Sequence, residues 1–208
     1  MLLSYSKKFI FIHIDKTAGT SIKAALSKYC FYPEETMYSS ALKKLGVRQY
    51  SDEFYDHIRS SELIRYLDPT IFNDFFKFAF VRNPWDWMLS SYTYYLKKPG
   101  MHPHVYFKNE IQTFRDFIKW QTGNPYIYHT QSEYLFDRFG NKMVDYIGKF
   151  ENVEEDFEYV LNKLNITEKL PHKNISKEKG YADQYTSETK DLVYRYYKND
   201  IHLFNYEF

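Results

Sequence analysis

A lysine set among hydroxyls and small residues can hold an anion, and this chain has such a group in Asp15-Lys16-Thr17-Ala18-Gly19-Thr20-Ser21. Lys16 supplies the charge, and Thr17, Thr20 and Ser21 supply hydroxyl donors. If a helix begins at Gly19 or Thr20, its first backbone N–H groups have no partner within the helix and point at the same spot. The positive end of the helix dipole adds to them. The chemistry this predicts is phosphate binding. The order is not that of the nucleotide motif GxxxxGK[ST], because Lys16 precedes Gly19 instead of following a glycine. Many α/β proteins also use strand, turn and helix merely to change direction, so one such motif does not decide the matter.

A second group lies at Arg82, with Asn83-Pro84 behind it. Arginine offers an anion a planar two-donor fork, although a structural pair with Asp86 is the competing reading. His57 falls between the two groups, and a neutral imidazole is the natural general base near pH 7. His13, at the end of the first strand, is the other candidate. A later loop, Leu170 to Tyr185, carries Lys173, Lys177 and Lys179 around Gly180. It is too long for a plain connection and could close over an anionic ligand. His102 and His104 have no second ligand pair at matching spacing, so no metal is predicted.

The elements that must position these residues follow from hydrophobic pattern. Phe9 to Ile14 and Phe78 to Val81 are short runs of bulky apolar residues, read as buried strands, and Asp145 to Phe150 reads as a third. Glu53 to Ile58 is a weak strand candidate. Helices are predicted from Gly19 to Tyr29, from Ser60 to a stop at Asp68-Pro69, and after Arg82, where Asn83 suits the N-cap and Pro84 the first position. On that helix Trp87, Ser90, Ser91 and Tyr94 share a face. Further helices are predicted over Ile111 to Trp120, up to Phe139 with Gly140 as the stop, from Val153 to Leu164, and from Thr186 to just before Asn199. Alternating strands and helices imply an α/β fold. In such sheets ligands bind beyond the carboxyl ends of the strands, so the Lys16 loop and Arg82 are expected on one edge.

Bulk composition narrows the classes. The 208 residues suit one domain spanning 1–208. A net charge of +1 advertises no polyanion footprint, so no nucleic-acid partner is expected. The single cysteine, Cys30, excludes an internal disulfide and suits a reducing compartment. The N-terminal run is too short and too lysine-interrupted for a signal peptide or membrane span, which makes a cytoplasmic protein the expectation. Aromatic residues make up 21% of the chain; their rings could stack on sugars or bases, but they also fill cores.

The two anion seats together with the later basic glycine loop resemble the sulfotransferases that use 3′-phosphoadenosine-5′-phosphosulfate (PAPS), and within them the carbohydrate branch. DKTAGTS is similar to that family's 5′-phosphosulfate loop. FVRNPWDWMLSSY is similar to its 3′-phosphate motif, whose Arg and Ser stand eight residues apart. IGKFENVEEDF, LPHKNISKEKGY and DIHLFNYEF are similar to its C-terminal half. The resemblance implies a three-layer P-loop NTPase-like fold with a central, mostly parallel sheet flanked by helices. It implies PAPS as donor and PAP as product. It implies that Lys16 steadies the bridging oxygen as its bond breaks, while the backbone and hydroxyls of Thr17, Ala18, Gly19, Thr20 and Ser21 hold the 5′-phosphate. Arg82 and Ser90 would hold the 3′-phosphate, the Lys177–Gly180 loop would cover that end, and His57 would be the base.

The residues agree with sulfonate transfer on chemical grounds. A transferred sulfonate carries less charge than a phosphoryl group and needs no metal to mask it, whereas kinases place a carboxylate for Mg²⁺ near the site. Here the second strand ends in Arg82. The expected partner is a small-molecule or oligosaccharide acceptor, with Tyr92 to Tyr95 and the loop Pro99 to Phe107 as its contact surface. An atypical P-loop kinase or NTPase, and a non-catalytic nucleotide-binding module of the same fold, are the alternative readings.

Overall fold

The computed structural model describes residues 1–30, 57–97, 111–123, 129–171 and 180–208. Its centre is a four-stranded sheet in the order β1-β2-β3-β4: β1 (Leu2–Ser4), β2 (Phe9–Ile12), β3 (Phe76–Val81) and β4 (Tyr146–Lys149). β2, β3 and β4 run parallel, and β1 joins the edge of β2 antiparallel. The apolar runs form strands because both of their faces are covered. Phe9 and Phe11 point to one layer, where Ile22 and Leu26 of α1 (Gly19–Leu26) and Phe157 and Val160 of α7 (Val153–Lys163) pack. Ile10 and Ile12 point to the other layer.

That second layer holds α2 (Ser60–Leu63), α3 (Pro69–Asp74), α4 (Pro84–Lys97), α5 (Phe114–Gly123), α6 (Gln131–Leu135), α8 (Ser187–Tyr196) and α9 (Lys198–Leu203). The protein is therefore a three-layer α/β structure. Register pairs Ile12 with Ala79 and Val81 with Lys149, so the turns leaving β2, β3 and β4 emerge at one end of the sheet. No helix among the described residues is long and apolar enough to cross a membrane.

Several elements differ from the sequence expectation. β1 was not expected; a turn through Lys8, at φ 50°, returns the chain so that Leu2–Ser4 cover the edge of β2. Asp68-Pro69 starts a helix instead of ending one, because Asp68 Oδ1 accepts from Thr70 N at 2.8 Å and Pro69 takes the first position. Gly140, at φ 84°, sits in a tight turn closing a Phe136–Lys142 bridge, five residues past the last residue of α6. The last predicted helix breaks at the fully buried Tyr197 and resumes as α9, which carries the chain through Asn199. Most of the weak strand Glu53 to Ile58 lies outside the described residues, and His57 itself stands in a turn.

Candidate functional site

The first turn runs from Ile12 to Gly19 and is drawn unusually tight. Lys16 (φ 61°) and Ala18 (φ 66°) both adopt the left-handed backbone, which non-glycine residues rarely accept and which gathers at functional sites. Ala18 is the N-cap of α1 with no side-chain cap bond, and its carbonyl accepts from Ser21 N and Ile22 N. The Gly19 and Thr20 N–H groups thus stand at the open, positive end of the helix. The tight path turns Thr17 inward: it is fully buried, and its hydroxyl donates to the Ile14 carbonyl at 2.8 Å. The expectation that the Thr17 hydroxyl faces an anion is corrected on that point. Only its backbone remains a candidate donor. Ser21 is buried at the base of the helix, and Thr20 is exposed.

A side chain at position 19 would have to displace His13. A Cβ there would lie 1.7 Å from His13 Nε2, so the His13 ring occupies the room a side chain would need. His13 lies between Phe11, on which it stacks, and His57, against which it is tilted by 41°, at centroid separations of 5.6 and 4.5 Å. The exposed His57 places Nδ1 at 3.0 Å from the His13 carbonyl. A carbonyl only accepts, so Nδ1 carries the hydrogen and Nε2 of the neutral ring carries the lone pair. His57 is thereby set as a proton acceptor, while His13 is packed away. Between them and Lys16 lies Asp15. Burial pushes its carboxyl up from the ordinary value, opposed first by His57 and then by Lys16.

The second turn is built from buried pairs. Arg82 is 4% exposed; its Nε donates to Asp86 Oδ2 at 2.7 Å and its guanidinium lies 4.0 Å from the Phe150 ring centre. The structural pairing with Asp86 is therefore real, and it coexists with a bond from Nη1 to the Lys16 carbonyl at 3.1 Å. Asn83 Oδ1 accepts from Trp85 N at 3.1 Å, as its capping role requires. Its own N–H donates to Glu151 Oε1, just past β4, at 2.7 Å.

Three contacts tie the turns together. Besides the Arg82–Lys16 bond, Trp87 Nε1 donates to the Asp15 carbonyl at 2.8 Å, and Lys16 Nζ lies 4.0 Å from the Tyr94 ring centre. Asp86, Ser90 and Tyr94 recur every four residues, so this face of α4 is the one turned toward the first loop. Ser90 is half-buried between a residue that binds Arg82 and one that seats Lys16. Tyr94, expected as an acceptor contact, sits against Lys16. Gly180 has φ 112° and opens the turn to Tyr181, whose hydroxyl accepts from Asn83 Nδ2 at 3.2 Å. Lys177 and Lys179 lie outside the described residues. A cleft of about 350 Å³ lined by Trp85, Lys190, Tyr194, Tyr206 and Phe208 lies past the second turn and touches neither Lys16 nor Arg82.

The model of a group described as the sulfotransferase family matches residues 1–207. Carbohydrate sulfotransferase 11 of Rattus norvegicus is 25% identical over 224 residues, covering 86% of this chain. The mouse protein of that name matches equally. This chain spans 64% of the length of those two relatives. An uncharacterized protein of Archaeoglobus fulgidus is 33% identical over 103 residues, 48% of this chain and 76% of its own length. No solved structure matches at a significant level.

Proposed function

This chain belongs to the sulfotransferase family, and on that premise we propose that it transfers the sulfonate group of PAPS to a hydroxyl of a carbohydrate or glycoconjugate. The observation that carries this reading is the 3.1 Å bond from Arg82 Nη1 to the Lys16 carbonyl. It sets two cationic turns at one rim of the sheet, within reach of a single adenosine bisphosphate. The open N-terminus of α1, the left-handed path through Lys16 and Ala18, and the bare Cα of Gly19 suit an anion pressed against the backbone. The layered arrangement is read as a P-loop NTPase-like fold. The carbohydrate acceptor rests on likeness to proteins named carbohydrate sulfotransferase 11.

PAPS supplies an activated sulfonate on its 5′-phosphate. In this reading the N–H groups and hydroxyls at Thr17 to Ser21 (the Thr17 hydroxyl excepted) hold the 5′-phosphate, and Arg82 with Ser90 holds the 3′-phosphate. His57 takes the acceptor hydroxyl's proton at Nε2 as the new O–S bond forms. Lys16 offsets the negative charge left on the bridging phosphate oxygen as the old O–S bond breaks. The test is calorimetric titration of purified protein with 3′,5′-ADP and with ATP plus Mg²⁺. Preference for 3′,5′-ADP without magnesium is expected; preference for ATP–Mg²⁺ would replace this reading with that of a kinase or NTPase.

A further inference from the structure

Arg82 follows the last residue of β3, where the strand ladder stops, yet both of its backbone groups are paired by one side chain. Arg82 N–H donates to Gln131 Oε1 at 2.8 Å, and Gln131 Nε2 donates to the Arg82 carbonyl at 2.7 Å. A carboxamide that exchanges both bonds with one residue acts as a one-residue neighbouring strand. Gln131 is fully buried, and its own backbone is held in turn. Gln131 N and Ser132 N donate to the two oxygens of Asp200, at 2.7 and 2.9 Å. Asp200, on α9, is also fully buried.

Burying a carboxylate costs several kcal/mol unless its oxygens are well satisfied, and here both oxygens cap the start of α6. The result is a closed chain of hydrogen bonds from Asp200 through Gln131 to Arg82, and onward to Asp86 and Lys16. It crosses from α9 to α6 to the end of β3. We propose that Gln131, seated by Asp200, is a positioning residue for Arg82, aiming its guanidinium at the 3′-phosphate of the nucleotide. This inference rests on the function proposed above, because it takes Arg82 as the 3′-phosphate contact.

The experiment measures dissociation constants for 3′,5′-ADP and for 5′-AMP, which lacks the 3′-phosphate, in wild type, Gln131→Ala and Gln131→Met. Methionine keeps most of the volume and loses both bonds. The expected result is about a tenfold weaker affinity for 3′,5′-ADP, the size of one or two lost hydrogen bonds, with 5′-AMP changed by less than about twofold. A merely structural role would weaken both nucleotides alike, and that result, or no change in either, overturns the inference. Failure of both variants to fold would make Gln131 a residue of the fold and overturn it as well. A wild type that binds the two nucleotides equally would overturn the parent reading too, which separates the two failures.

Discussion

The two turns at the rim of the sheet are made in opposite ways. The first, around Lys16, is shaped by its own backbone: two left-handed residues, a glycine with no room for a methyl, and a half-exposed Lys16. The second, around Arg82, is shaped by its neighbours. Asp86, Gln131, Glu151 and the ring of Phe150 all touch it or the residue beside it, and Arg82 is almost wholly buried. A seat that only has to recognise a phosphate can be rigid and deeply buried. A seat where bonds form and break must admit an acceptor and move a proton. On the proposed function, the difference in construction separates recognition from chemistry.

Paired substitutions test this contrast most severely. Arg82→Ala leaves the largely buried Asp86 without its partner, which typically costs about 3 kcal/mol or more, or roughly 6–12 °C in Tm, and it should abolish selectivity for the 3′-phosphate. Lys16→Ala should leave Tm nearly unchanged while lowering kcat about 10²–10³-fold, as loss of a charge-stabilising group does. Thermal melts and single-turnover assays read the two effects. Equal losses of Tm would erase the distinction between the turns. The next largest effect is expected from His57→Ala, a loss of about a hundredfold in kcat with nucleotide affinity intact, read from steady-state rates and calorimetry. A variant within a few-fold of wild type would remove His57 as the base.

A smaller effect probes the buried side of the second turn. Burial pushes the Asp200 carboxyl up to about 6 from 3.8. The folded state therefore holds this proton more tightly than the unfolded chain, and wild type gains stability from Asp200 as pH falls from above 6 toward 3.8. Asp200→Asn cannot titrate. Wild type should thus gain on the variant by about 2 kcal/mol between pH 7.5 and 4.5, measured as the difference of urea melts at the two pH values. A constant difference would mean that Asp200 does not titrate in this range.

The three parallel strands and both turns were legible because they rest on local pattern: an apolar run, then a change to small or capping residues. Lys16 and Arg82 stood out as charges at the ends of such runs. What could not be read depends on backbone angles and distant partners. Nothing in the letters around Thr17 says that Lys16 and Ala18 take the left-handed form, so its hydroxyl was expected to face outward. Gln131 and Asp200 lie 69 positions apart, and each alone looks like a surface residue. Asp68-Pro69 reads equally as a stop or a start, and the chain uses it as a start. His57 was nominated through family resemblance; the bond that orients its ring came only from the structure.

The missing methyl at position 19 has a reach beyond the turn it occupies. Alanine there would shove the His13 imidazole, which packs at a tilt against the His57 ring proposed to collect the proton. On the proposed function, the smallest residue in the loop therefore guards the packing behind the His57 ring as well as the anion seat, and a lesion there would surface as slow chemistry as well as poor nucleotide uptake.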